Sequence, residues 1–375
     1  MKVALVHDWL TGMRGGENCL EVFCELFPEA DIYTLLHIRG SVSDTIESHR
    51  IITSFIKNLP FARKKYRYYL PLMPYAISRF DLHNYDLIFS SSHCVAKGVI
   101  VQKTTMHVCY CHTPMRYVWE FSDEYFGHCQ TNVVTKAPLS ALVKYLQNWD
   151  VHSSQNVDYF LANSYTVKDR IQKYYNRDAD VIYPPVDTEK FNIAEKRDNY
   201  YLVVSALVPY KRIDIAVRAF NALGFPLKVI GAGHEGKTLK KMAQPNIEFL
   251  GWQDKEVLGQ YYSRCKALIF PGIEDFGIVP LEAMASGRPV IAYAKGGALE
   301  TVVSIDQTHE ARSATGIFFH EQTPQSLIDA VYNFQKIQDK FDPLMIRRHA
   351  QNFRRPIFKE KIKNFIENKL GYLLR

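Results

Sequence analysis

Two carboxylates, Glu274 and Glu282, stand in the stretch of the chain richest in chemistry: Phe270-Pro271-Gly272-Ile273-Glu274-Asp275-Phe276-Gly277-Ile278-Val279-Pro280-Leu281-Glu282-Ala283. An apolar run ends at Pro271-Gly272 and a loop carries Glu274. Pro280 then marks the first turn of a helix, where its missing N–H would have no partner in any case. The amides of Gly277, Ile278 and Val279 would point outward from the positive helix end, and Gly277 lets a ligand approach the backbone closely. This predicts a diphosphate site beside Phe276. Glu282, about one turn in, can accept two hydroxyl hydrogen bonds, as a ribose would offer.

Four further segments carry polar groups at turns. In Val203-Val204-Ser205-Ala206-Leu207-Val208-Pro209-Tyr210-Lys211-Arg212-Ile213-Asp214, a strand runs through a loop into a helix that begins with two cations. Positive charge there opposes the helix dipole, which makes sense if Lys211 and Arg212 clamp an anion; Arg212 could equally be a surface helix residue. Thr11-Gly12-Met13-Arg14-Gly15-Gly16-Glu17 follows the first strand and opens a helix, with Gly15 and Gly16 permitting close backbone approach. It is not the dinucleotide glycine pattern, and no acidic residue ends the second strand, so a nicotinamide site is not expected. His112 follows the strand His107–Cys111, and His7-Asp8 ends the first strand, where an acceptor could meet them.

These groups need α/β elements to position them. Strands are expected at Val3–His7, Asp31–Leu35, Leu87–Ser91, His107–Cys111, Tyr159–Ala162 and Val181–Tyr183. A second set is expected at Tyr201–Ala206, Leu227–Gly231, Ile247–Leu250, Ala267–Pro271, Pro289–Tyr293 and Gly316–Phe319, with amphipathic stretches between. The alternation predicts two parallel-sheet domains. The tandem prolines of Tyr183-Pro184-Pro185-Val186-Asp187 make a stiff joint and place the boundary, giving 1–183 and 184–355. Open sheets of this kind bind ligands beyond the carboxyl ends of their strands, so the expected site is a cleft between two facing domains.

Composition sets limits. The chain has 375 residues, 47% hydrophobic and 23% charged, which suits two globular cores. The N-terminal apolar run is too short for a signal sequence, and no stretch reaches membrane-span length. Seven cysteines (19, 24, 94, 109, 111, 129 and 265) form no CxxC pair, so a reducing, cytoplasmic setting is expected. Cys109-Tyr110-Cys111-His112 lacks further ligands at zinc spacing, and no metal site is expected there. The net charge of +7 is unevenly spread: between Glu47 and Asp81 no acid occurs, while Arg50, Lys57, Arg63, Lys64, Lys65, Arg67 and Arg79 do. Aromatics interleave with them. Residues 50–80 could meet an anionic membrane surface, or form a solvated helix face over the core. No motif accompanies the charge that would point to nucleic acid.

Glu274-x7-Glu282 with Phe276-Gly277 inside, Ala285-Ser286-Gly287-Arg288-Pro289-Val290, Ala162-Asn163-Ser164, Val181-Ile182-Tyr183-Pro184-Pro185-Val186-Asp187 and Gly296-Gly297-Ala298-Leu299-Glu300-Thr301-Val302 together resemble the retaining glycosyltransferases of family 4. The resemblance runs from Gly15-Gly16 to the last helix. It implies the GT-B fold and a C-terminal helix, about 356–375, returning to the first domain. It implies a nucleotide-sugar donor, with Glu274 beside the sugar, Glu282 on the ribose, Lys211 on the diphosphate, the Gly15-Gly16 loop facing diphosphate and acceptor, and His112 contacting the sugar. Ala206 departs from the pattern, since many members carry there an arginine that holds the diphosphate; Arg212 is the candidate replacement. His112-Thr113-Pro114-Met115-Arg116-Tyr117 resembles a bacterial O-antigen and exopolysaccharide mannosyltransferase subgroup, which implies GDP-mannose and a saccharide or polyprenyl-linked saccharide acceptor at the inner membrane face. No metal or other cofactor is expected. A UDP-hexose donor, a nucleotide-sugar epimerase or hydrolase, and a non-catalytic nucleotide-sugar or glycan-binding protein are the alternatives.

Overall fold

The first strand, β1 (Val3–His7), is buried along its whole length, and its side chains alternate between two cores. Val3 and Leu5 join the cluster of Cys19, Leu20 and Phe23; Ala4 and Val6 join that of Trp9, Ile56, Met73 and Leu146. A strand buried on both faces needs helices on both, which is the parallel α/β arrangement. The computed structural model describes residues 1–120, 133–308 and 311–371. Cys129 and residues 372–375 of the expected C-terminal helix lie outside the described residues.

The chain divides into two units, Met1–Pro184 with Phe358–Arg375, and Pro185–Ile357. The first break falls between the two prolines, one residue beyond the expected position. The second falls two residues beyond it.

The first unit holds a seven-stranded parallel sheet in the order β3-β2-β1-β4-β5-β6-β7, with β2 Asp31–Thr34, β3 Ile51–Thr53, β4 Leu87–Ser92, β5 Met106–Cys111, β6 Tyr159–Ala162 and β7 Ala179–Val181. Two strand expectations need correction. β3 has no counterpart among them, because three residues at a sheet edge carry too little pattern to read. β7 precedes the expected Val181–Tyr183, because Ile182 and Tyr183 already lead into the prolines. The C-terminal helix Arg355–Leu370 supplies Phe358, Ile362 and Ile366 to the core beside the helix Gly15–Leu26. Residues 55–78 form several short helical turns, with Pro60 between two of them, rather than one helix face.

The second unit holds six parallel strands in the order β10-β9-β8-β11-β12-β13: β8 Tyr201–Val204, β9 Leu227–Ile230, β10 Ile247–Gly251, β11 Leu268–Phe270, β12 Val290–Tyr293 and β13 Gly316–Phe319. The helix Ile213–Leu223 buries Ile213, Ala216, Val217 and Phe220, an apolar stripe at helical spacing. Two arginines, Arg288 buried and Arg347 half-buried, act as struts. Arg288 donates to the Ser263 and Ala194 carbonyls, and Arg347 donates to that of Ala285, so each cation meets carbonyls at or near a helix C-terminal end. No described helix is long and apolar enough to cross a membrane.

In both sheets the chain reverses its direction of growth once, between β1 and β4 and between β8 and β11. The crevice at the carboxyl ends of such a strand pair is where this topology leaves room for a ligand.

Candidate functional site

The loops after β8 and β11 meet at the second unit's reversal point. Lys211 ends the turn Pro209–Lys211, and its Nζ forms an ion pair with Glu274 Oε1. Gly272 makes the approach possible, since a Cβ there would come within 2.9 Å of the Lys211 carbonyl oxygen. The Glu274 loop is clamped from its other side: the Gly297 amide donates to the Glu274 carbonyl at 2.8 Å, and a side chain at Gly297 would collide with the Phe276 backbone. Gly296-Gly297 is therefore a packing requirement of the glutamate loop.

Gly277 caps the helix Ile278–Ala285 with φ 91, a left-handed conformation that favours glycine. The first amides of that helix have no intrahelical partner and lie at its positive end, beside Glu274 in the chain. Phe276 is buried against Phe353, so its ring anchors the loop, and only its backbone can serve a ligand. Glu282 lies further along the same helix and accepts a hydrogen bond from the Tyr262 hydroxyl at 2.9 Å. Burial pushes its carboxyl up to about 7, against the stabilising hydrogen bond and the charge of Lys255. Arg212 has turned away. It sits at φ 52, its guanidinium binds Asp214 at 3.0 and 3.3 Å, and it reaches Gln322 at 3.4 Å. Gln322 in turn donates to the Pro271 carbonyl at 2.9 Å, so Arg212 braces the loop through an intermediary. Lys211 is the cation brought to Glu274.

In the first unit the register pairs His7 with Ser91, and the His112 amide donates to the Ser92 carbonyl at 2.8 Å just past β5. That alignment collects three histidines. Ser91 Oγ lies 3.1 Å from His7 Nδ1 and 2.8 Å from His112 Nε2, and the His93 ring centroid lies 6.4 Å from those of both His7 and His112. Gly16 closes over the group: a Cβ there would sit 3.4 Å from His7 and 3.5 Å from His112. Gly15 opens the helix Gly15–Leu26, and Glu17, held by the Arg14 amide at 3.1 Å, lies 3.8 Å from His7. Burial, then the neighbouring His93 and His7, lower His112 to about 3, so it is neutral at physiological pH. Asp8 has a different place from the acceptor-side one expected. It is fully buried and accepts the amides of His93, Cys94, Val95 and Ala96 at 2.6–3.0 Å, with His93 Nδ1 also at 3.0 Å. Burial alone would raise this carboxyl, but its His93 contacts hold it well below the usual range. Asp8 is thus committed to building the turn after β4 and to orienting His93.

Among the described residues no group of three or more His, Cys, Asp or Glu is gathered as metal ligands. The triplet Asp178-Ala179-Asp180 has the Asp-x-Asp form, but it enters β7 at the amino end of the sheet, away from the histidines, and Asp178 pairs with Lys168 at 2.9 Å. Cys109 and Cys111 are buried among Val157, Phe160 and Ala162.

The sequence family described as Glycosyltransferase Family 4 matches residues 14–190, and Glycosyl transferases group 1 matches residues 185–348. The chain belongs to glycosyltransferase family 4. Among family relatives it is 28% identical over 220 residues to the O-antigen chain mannosyltransferase RfbU of Salmonella typhimurium, across 55% of this chain and 60% of that one. It is 30% identical over 202 residues to a GDP-mannose-dependent alpha-(1-6)-phosphatidylinositol monomannoside mannosyltransferase of Mycobacterium tuberculosis, across 45% of this chain and 50% of that one. The matches thus span about half or slightly more of these relatives' lengths. Anabaena Alr3699/HepE, solved in complex with UDP, shares the fold with a TM-score of 0.70 at 16% identity, over 98% of this chain and 100% of that one. The two Rossmann-like domains are those of the GT-B fold.

Against the family pattern, Ser91, His93, Glu17, Tyr262 and Gln322 are participants that sequence reasoning missed. Ser91-Ser92-His93 ends a strand as His7 does, but only the strand order makes β4 the neighbour of β1. Tyr262 sits in the last turn of the helix Lys255–Arg264 with no local signal that its hydroxyl meets Glu282.

Proposed function

We propose that the protein is a retaining hexosyltransferase that moves mannose from GDP-mannose to a saccharide or polyprenyl-linked saccharide. The observation that carries this reading is the Lys211–Glu274 pair beside the N-terminal end of the helix Ile278–Ala285. As a nucleoside diphosphate leaves, negative charge grows on it. Lys211 and the amides of Gly277–Val279 would stabilise that charge, while Glu274, exchanging its lysine for sugar hydroxyls, would position the hexose. Glu282 receives the ribose. Attack from the face that the leaving group occupies, with the departing phosphate accepting the acceptor's proton, gives retention. By the family resemblance, His112 would contact the sugar and the Gly15-Gly16 turn the diphosphate.

Mannose is supported by His112-Thr113-Pro114-Met115-Arg116-Tyr117 and by the two mannosyltransferase relatives. Residues 50–80 would hold the protein at the cytoplasmic face of a membrane that carries the acceptor. A thermal-shift panel of GDP-mannose, UDP-glucose and UDP-galactose, followed by turnover with the strongest binder, tests the reading. GDP-mannose should give the largest shift; a larger shift with a UDP-hexose reassigns the donor, and donor binding without transfer to any saccharide rejects the activity. Because cations and helix amides carry the charge, turnover in EDTA should equal that with magnesium or manganese, and abolition by EDTA would sink the metal-free mechanism.

A further inference from the structure

The first unit contains a cavity of about 490 Å³, within the ordinary size range of ligand sites, that meets the family motifs only at Tyr117, the last residue of the His112-to-Tyr117 segment. Its wall is mainly apolar, built from Trp9, Leu70, Met73 and Leu142, yet its rim carries Lys64, Lys65 and Arg67. No acid lies between Glu47 and Asp81 to neutralise those cations within the segment. An apolar recess with three cations at its mouth fits a molecule that joins a hydrocarbon chain to an anionic head.

Two further observations point the same way. Phe61 adopts φ 55, a left-handed conformation unfavourable for a bulky residue, and its ring is 78% exposed; Tyr68 is 79% exposed. Lys65 Nζ lies between them, 5.9 Å from the Phe61 centroid and 6.0 Å from that of Tyr68. Backbone strain spent on displaying an aromatic ring beside cations serves no core, and it suits an edge that meets a lipid interface. The cavity is also connected to the histidines. Trp9, which lines it, stacks edge-on against His93 with centroids 4.6 Å apart, and His93 is the neighbour of His112.

We infer that this cavity binds the lipid of the acceptor, a polyprenyl phosphate or diphosphate carrying a saccharide. The phosphate lies on Lys64, Lys65 and Arg67, the first isoprene units on Leu70, Met73 and Leu142, and the saccharide, joined through that phosphate, extends past Trp9 toward His93 and His112. The inference deepens the transferase reading and rests on it only in calling the ligand an acceptor.

The test uses the full chain without nucleotide and titrates it calorimetrically with farnesyl diphosphate and, separately, inorganic pyrophosphate. Farnesyl diphosphate should bind at least tenfold more tightly. The triple variant Lys64→Ala, Lys65→Ala, Arg67→Ala, all at exposed positions, should weaken it at least tenfold, and Leu142→Glu should weaken farnesyl diphosphate more than pyrophosphate. Equal affinity for the two probes, or a triple variant that binds farnesyl diphosphate normally, overturns the assignment. Loss of binding to phosphatidylglycerol vesicles with farnesyl diphosphate binding intact also overturns it, in favour of a membrane-facing charge surface. The sugar-nucleotide thermal shift, read on the same proteins, reports separately on the transferase reading.

Discussion

Replacing Glu282 by glutamine should stabilise the unliganded protein while weakening its hold on the donor, and the stabilisation should depend on pH in a defined direction. The unfolded chain releases the Glu282 proton near 4.5 and the folded chain near 7. Between those values the folded state holds more protons than the unfolded one, so stability falls as pH rises through the window and the loss is complete above it. A displacement of this size corresponds to about 3 kcal/mol, which partial contact of Glu282 with solvent reduces to about 2–3 kcal/mol. Glutamine keeps an acceptor for the Tyr262 hydroxyl and carries no charge to desolvate. For a unit the size of Pro185–Ile357 the gain corresponds to roughly 4–10 °C in Tm at pH 8, shrinking toward zero at pH 4.5. Scanning calorimetry of both proteins at half-unit intervals from pH 4.5 to 8 measures this directly. If Glu282 holds the ribose of GDP-mannose as proposed, loss of its carboxylate should weaken GDP-mannose binding by about tenfold or more. A glutamine variant less stable than the parent at pH 8, or a Tm difference that does not change with pH, would refute the claim that burial holds this carboxyl.

If the Glu274 carboxylate positions the reacting sugar as proposed, Glu274→Gln should lower turnover at least ~100-fold with donor affinity changed only a few-fold; near-normal turnover with GDP-mannose removes it from the reaction. Gly297→Ala forces the Phe276 backbone to move and should cost at least ~10-fold in donor affinity, measured by calorimetry, as the loop that presents Glu274 and Gly277 shifts; unchanged affinity would show that the loop is not set by this contact. His112, lowered to about 3, and His107, lowered to about 4, should show no NMR titration of their ring protons between pH 5 and 8. Their unfolded forms take up protons near 6.5, so the first unit should lose stability as pH falls below that value, opposite in slope to the Glu282 effect. A His112 midpoint near 6.5 contradicts the packing described around it.

The local signals in the sequence were strong where one element determines the outcome. The run Val3-Ala4-Leu5-Val6-His7 has to be a strand buried on both faces, and Gly277 before Ile278-Val279-Pro280 has to open a helix, because period and backbone conformation are properties of a few adjacent residues. The tandem prolines likewise place the joint at Pro184 and Pro185. Partners distant in sequence were decided by tertiary structure alone. Lys211 and Arg212 are adjacent and alike in charge, yet the left-handed turn at Arg212 delivers one to Glu274 and the other to Asp214. His7 and Asp8 are adjacent too, but successive positions along β1 and its exit loop face different surroundings. His7 therefore meets Ser91, while Asp8 is enclosed by the amides of the turn after β4. Strand order and register set those pairings, and they arise from packing the whole sheet, which no window of the sequence contains.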